Sequence, residues 1–185
     1  HWRKVNRFHI LMKLNELRKE IVIPEGIEVT MENKTLTVKG PNGESSREFL
    51  YPYLTIENKD NKISIFAKNA TKKEKTMIGT YTAHIKNLME GANAGFIYKL
   101  KICSGHFPMT VSVQDNTITI NNFMGEKVPR TANILPGAEA KVEGEIITVS
   151  GSDKEVVGQS AANIELATKR TGFDKRVFQD GCYII

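Results

Sequence analysis

Two short stretches of this 185-residue chain set cationic side chains among aromatic ones. Asn121-Asn122-Phe123-Met124-Gly125-Glu126-Lys127-Val128-Pro129-Arg130 holds an aromatic ring, a glycine and two bases, and reads as a loop between strands. Lys169-Arg170-Thr171-Gly172-Phe173-Asp174-Lys175-Arg176-Val177-Phe178 holds four bases and two phenylalanines, and follows the end of a helix. Bases hold phosphates, and exposed rings or guanidinium planes stack on unpaired nucleobases, which is how proteins usually read irregular RNA. A bland reading competes with this one, because Phe123 and Phe178 are equally suited to a core. A third stretch, Ser104-Gly105-His106-Phe107-Pro108, reads either as a turn that links two units or as a polar and aromatic corner that meets a phosphate or a base.

Other chemistry is thinly represented. The chain has no GxxxxGK[ST], no HExxH, no CxxC, no nucleophile-elbow GxSxG and no GxGxxG after a strand. His1, His9, His84 and His106 lack metal-ligand spacing, and His84 reads as an ordinary helix histidine. His84 or His106 with Asp174 is the only loose acid–base constellation. The expectation is a protein that is not an enzyme and uses neither cofactor nor metal.

These loops hang on a repeated frame. Val29-Thr30-Met31-Glu32-Asn33-Lys34-Thr35-Leu36-Thr37-Val38 aligns without a gap on Val111-Ser112-Val113-Gln114-Asp115-Asn116-Thr117-Ile118-Thr119-Ile120, an offset of about 82 residues. The expected architecture is α+β, with two tandem copies of a small unit, each an antiparallel sheet packed by one main helix. Residues 12–103 and 104–185 are the expected units, and residues 1–11 an extension outside them. Each unit should start with a short strand (residues 20–23; 107–109) and continue into a hairpin of alternating apolar residues. Such alternation marks a sheet buried on one face. Asn33-Lys34 and Asp115-Asn116 suit the turns. A second ribbon then leads to a helix. Thr71-Lys72-Lys73-Glu74 and Ser152-Asp153-Lys154-Glu155 both read as capping boxes, with Gly91 and Gly172 as helix stops. Closing strands are expected over residues 96–103 and 182–185. Cys103 and Cys182 would then lie in separate units as free thiols.

The net charge of +5 is concentrated in the first half. Residues 103–185 hold 8 basic and 10 acidic side chains. There the acids gather at Glu139, Glu143, Glu145, Asp153 and Glu155, and the bases at Lys127, Arg130, Lys169, Arg170, Lys175 and Arg176. That segregation gives either a basic face opposed to an acidic one or two ordinary solvated faces. No stretch approaches the ~18 apolar residues of a membrane span.

Several of these residues, taken in order, resemble the family of large-subunit ribosomal protein six in its archaeal form, whose eukaryotic counterpart is numbered nine. They are Gly105-His106-Phe107-Pro108-Met109, Asn122 to Arg130, Gly158-Gln159-Ser160-Ala161-Ala162-Asn163-Ile164-Glu165, and the closing Arg176-Val177-Phe178-Gln179-Asp180-Gly181-Cys182-Tyr183. The resemblance runs from about Leu14 to Ile185. It implies a cytoplasmic, non-enzymatic constituent of the large ribosomal subunit. Its second unit would bind large-subunit rRNA near the translation-factor site and the stalk base. Neighbouring ribosomal proteins, stalk-base proteins among them, would be partners, with translation factors nearby and no membrane. The implied RNA contacts are His106, Lys127, Arg130, Lys169, Arg170, Lys175 and Arg176. Phe173 and Cys182 stand where family members often carry a lysine and an aliphatic residue. The alternative is a two-domain protein-interaction module without RNA binding.

Overall fold

The computed structural model describes residues 14–59, 61–174 and 176–185. The expected extension over residues 1–11 and the expected contact Lys175 lie outside the described residues.

The first unit holds strands β1 (Leu14–Val22), β2 (Glu28–Glu32), β3 (Thr35–Gly40), β4 (Gly43–Glu48), β5 (Thr55–Lys59) and β6 (Lys62–Ala70), then helix α1 (Lys72–Asn93). Strand β7 (Phe96–Cys103) follows, with β8 (Thr110–Gln114), β9 (Thr117–Asn121), β10 (Arg130–Asn133), β11 (Ala138–Glu143), β12 (Ile146–Gly151), α2 (Lys154–Ala167) and β13 (Gly181–Ile184). The strands form four antiparallel sheets, in the orders β1-β6-β5, β2-β3-β4, β10-β9-β8 and β11-β12-β7-β13. The α+β frame is therefore doubled as the repeat predicts, and each unit divides its strands into two sheets that share one helix.

The alternating hairpins behave as period two requires. Leu36 and Val38 are fully buried, as are Ile118 and Ile120, because β3 and β9 are the central strands of their sheets. Their partners Val29, Met31, Val111 and Val113 lie on edge strands and are half-buried. Asn33 and Lys34 both take left-handed backbone (φ 45° and 74°), the geometry a two-residue hairpin needs to follow strand twist. Ile78, Tyr81, Ile85, Leu88 and Met89 of α1 close one core, and Val157, Ala161 and Ile164 of α2 close a separate one.

Strand β7 corrects the expected organisation. It pairs with β12 on one side and β13 on the other, so it is the inner strand of the second unit's sheet and does not close the first unit. The repeat offset carries Leu14–Val22 onto residues 96–104, which makes β7 the counterpart of β1. Residues 107–109, expected as the second unit's leading strand, are irregular. We therefore place the division between the units in the short Ala94-Gly95 link. Cys103 and Cys182 consequently lie in neighbouring strands of one sheet, offset by one residue, and both are free thiols. Burial pushes the Cys182 thiol up to about 12.

Three helix-end expectations also change. The Thr71–Glu74 capping box forms, with the Thr71 amide donating to Glu74 Oε2 at 2.9 Å. In α2 the cap is Asp153, which accepts the Glu155 amide at 2.8 Å. Ser152 instead accepts a hydrogen bond from Ser45 of the first unit at 3.2 Å. Gly91 is not a stop but a buried residue within α1, and the chain leaves the helix at Ala94, followed by Gly95 at φ 71°. Gly172 lies four residues beyond the α2 cap at Thr168.

Gly91 marks the closest approach of the units. A Cβ there would overlap the Ser152 carbonyl oxygen and stand 3.0 Å from the Phe96 ring. Around it Arg47 pairs with Glu155, His84 Nδ1 lies 3.3 Å from the same carboxylate, and Lys154 donates to Asn87 at 3.5 Å. Gly91→Ala should destabilise the protein by about 1–3 kcal/mol, the usual cost of overpacking. Gly79→Ala, on the exposed face of the same helix with open space around it, should stabilise by about 0.5–1 kcal/mol. Urea unfolding of both variants checks this, and equal shifts of the same sign would contradict the close approach.

Candidate nucleic-acid interface

The loop after β9 is built on backbone conformations that few residues adopt. Asn122 and Met124 have φ of 58° and 51°, and Gly125 has φ 77° where a Cβ would already touch the Phe107 ring at 3.5 Å. The reversal drives Phe123 into the core at 2% exposure, so the core reading of this ring holds. Asn122 pins the loop by donating to the Pro108 carbonyl at 2.9 Å.

Arg130 lies over Phe123, its guanidinium 4.4 Å from the ring centroid. Its Nε and Nη2 donate to the two oxygens of Glu126 at 2.7 and 2.8 Å. Its Nη1 donates to the carbonyls of Ala167 (2.8 Å) and Lys169 (3.4 Å), satisfying acceptors that the end of α2 would otherwise leave open. Four of the five guanidinium protons are thus engaged within the protein. Hydrogen bonds from Arg130 hold the Glu126 carboxyl below the usual carboxylate range, and Arg170 adds to this from 3.4 Å.

Asp180 organises the second part of the site. Its side chain is buried, and Oδ1 accepts the amides of Gly105 (2.7 Å) and His106 (3.0 Å). Oδ2 lies 2.6 Å from His106 Nδ1. A carboxylate only accepts, so Nδ1 carries the proton and Nε2 faces away from this bond. The His106 ring stacks on Phe178 at 4.8 Å, and Phe178 meets Phe173 edge-on at 5.0 Å. Phe178 is half-buried, between the core and the exposed reading. Ser104 to Pro108 is therefore a fixed polar–aromatic corner inside the second unit, and the expected reading as a link between units falls, because β7 before it already belongs to the second unit's sheet.

Of the residues singled out in the sequence, His106, Arg130, Lys169 and Arg170 gather where the end of α2, the 122–130 loop and the 105–106 corner meet. Arg170 stacks over Phe173 at 4.4 Å. Lys127 is exposed at the loop tip, and Arg176 is 90% exposed and pairs with Asp174 at 2.9 Å. Asp153 and Glu155 open α2, at the helix end away from these bases, and Glu139 lies on edge strand β11 opposite Ser150 near that same end. Glu143 and Glu145 do not follow them: the Glu145 carbonyl accepts the Ile102 amide at 2.8 Å, which sets the β11–β12 turn at the end of the sheet where β7 leaves for Gly105 and His106. Only part of the acidic set is thus separated from the bases by roughly the length of α2, about 21 Å. The expected opposition of an acidic face to a basic one is only partly realised.

The residues missed in the sequence are the organisers Glu126 and Asp180, and the apolar Leu166 and Tyr183 that line the concavity beside them. The i,i+4 spacing of Glu126 and Arg130 was a usable signal, whereas nothing local linked Asp180 to Gly105, 75 residues earlier. Among the described residues no group of His, Cys, Asp and Glu could hold a metal ion.

The family model described as Ribosomal protein L6 matches the chain twice, over residues 23–95 and 107–181. This chain belongs to the ribosomal protein L6 family. Each matched segment begins just after β1 or its counterpart β7, in keeping with the sheet pairing. Among curated relatives, the large ribosomal subunit protein uL6 of Methanobrevibacter smithii is 50% identical over 169 residues, covering 91% of this chain and 95% of its own length. The protein of the same name from Methanosarcina mazei is 46% identical over 172 residues, covering 93% and 98%. The L6 family comprises ribosomal proteins, not enzymes, and the weak His84 or His106 constellation with Asp174 is not assembled: His106 is bound to Asp180, and His84 faces Glu155.

Asp180→Asn should cost about 1–3 kcal/mol, because buried amide donors lose a charged acceptor. Burial raises the Asp180 pKa and the bonds from His106 and Gly105 lower it, with a net shift downward. Its contribution is therefore present above the unfolded value near ~3.9 and lost as pH falls through the lower folded one. Urea unfolding at neutral pH and across that acid window should show a flattened acid limb in the variant. Parallel acid limbs in both proteins would contradict this role.

Proposed function

We propose that the protein is a constituent of the cytoplasmic large ribosomal subunit that binds large-subunit rRNA through the basic end of its second unit. The observation that carries this reading is the convergence of exposed cations on one preorganised corner, in a chain of the L6 family. Lys127, Lys169, Arg170 and Arg176 offer phosphate contacts, and His106 presents Nε2 beside the Phe178 stack. The Arg176–Asp174 pair is exposed, and such pairs exchange readily for a phosphate partner. Arg130 is better suited to a supporting role, since its donors already bind Glu126 and the end of α2. Placement near the translation-factor site and the stalk base, beside stalk-base proteins and passing factors, follows from the family kinship and belongs to the same proposal.

Mechanically, this is clamping without bond chemistry. Cations displace counterions from the RNA backbone, and a corner already held by Asp180 and Glu126 loses little freedom on binding. The double change Lys127→Glu with Arg176→Glu should lower affinity for large-subunit rRNA and flatten its salt dependence by about 0.7–0.9 log units per lost contact. Filter binding across a salt series reads both quantities, with Lys34→Glu in the first unit as the unaffected comparison. Unchanged binding in the double variant would refute the RNA reading and favour the protein-interaction module.

A further inference from the structure

We infer that the concavity beside the end of α2 is a pocket for one nucleobase splayed out of the RNA, and that Glu165 favours guanine there. This inference rests on the RNA reading above and adds a mode of recognition to it.

The concavity measures about 260 Å³. That is just below the ~300–1,000 Å³ of pockets for drug-sized ligands, so it suits a single ring system. Its walls are apolar and aromatic: Leu166, Phe173, Phe178 and Tyr183, with Phe123 among the buried residues behind them. Leu166 is 56% exposed and Phe173 39%, an apolar cluster out of place on a surface otherwise carrying cations. Lys169 and Arg170 also line it, so a ring entering the pocket would bring its flanking phosphates to positive charge. Apolar walls with a cationic rim complement a nucleotide of RNA better than they complement an aliphatic side chain, which would leave the cations without a counter-charge. The Arg170 guanidinium stacked on Phe173 supplies a plane of the kind on which an unpaired base lies.

Glu165 supplies the selectivity. It lines the pocket, and among the described residues its carboxylate makes no hydrogen bond or ion pair, while its backbone carbonyl accepts from Thr168 at 3.0 Å. A carboxylate there repels phosphate and accepts from base donors. Guanine alone presents two adjacent donors on its Watson–Crick edge, the N1 proton and the N2 amino group, matching two carboxylate oxygens. The other carboxylate in the lining, Asp180, is already occupied by Gly105 and His106.

The test uses the full chain and two readouts. In NMR titrations, guanosine 5′-monophosphate should shift the Leu166 methyl and Phe173 ring signals more than adenosine 5′-monophosphate does, and ribose 5-phosphate should leave them in place. Glu165→Gln should erase the difference between the two bases. In rRNA binding, Phe173→Ala should weaken affinity about tenfold or more, as loss of one stacked base does, with the salt slope unchanged. Phe173→Tyr should restore it, and thermal melts of both variants check the fold. Equal shifts with ribose 5-phosphate, or full rRNA affinity in a folded Phe173→Ala variant, would overturn the pocket while leaving the RNA reading intact. Failure of the wild-type chain to bind rRNA at all would overturn that reading itself.

Discussion

Two residues, Ala94 and Gly95, separate the end of α1 from the start of β7. They span at most about 7 Å, so the long helix of the first unit runs almost directly into the inner strand of the second unit's sheet. Contact between the units is thereby enforced by the chain itself. Much else follows from it. Gly91 must lack a side chain where α1 crosses the Ser152 carbonyl, Ser152 is drawn from capping into a bond with Ser45, and Glu155 turns to Arg47 and His84. Burial at this seam, with the Arg47 charge, lowers the His84 pKa, leaving a neutral imidazole beside the ion pair. Two small units, each with a limited core, gain support from one another in this way.

The same link aims the basic corner. Because β7 is held between β12 and β13, the chain leaving it at Cys103 arrives beside Asp180, which precedes β13. A buried carboxylate then fixes Gly105 and His106, and Glu126 fixes Arg130 and Arg170 nearby. Acidic residues thus serve inside a cationic surface as its positioning elements. They consume some of the positive charge, yet they supply in advance the ordering that flexible arginines would otherwise undergo on meeting RNA. The tethered cations hold the shape, and the exposed ones, Lys127, Lys169 and Arg176, remain open to solvent.

Much of this is legible in the order of residues alone. The period-two hairpins, the left-handed turn at Asn33-Lys34, the first capping box and the helix stripes are local signals, set by side chains within a few residues of one another. They specify the α+β class, and the repeat specifies its duplication. The basic-aromatic loops are also visible as candidates, as is kinship with the L6 family.

What only the tertiary structure decided was partnership at long range. Which sheet takes Phe96–Cys103 depends on hydrogen bonds to strands far along the chain, and a strand's own pattern does not name its neighbour. The family resemblance counts Arg130 among the RNA contacts, and in the sequence an arginine looks the same whether its fork meets RNA or Glu126 and the end of α2. Likewise Phe123 could be assigned to core or surface only when the left-handed turn at Asn122 was seen to drive it inward. Charge and periodicity are properties of residue types and spacing, so the sequence determines them. Burial and saturation of donors are properties of neighbours brought together by folding, so the fold decides which of these cations are free to bind.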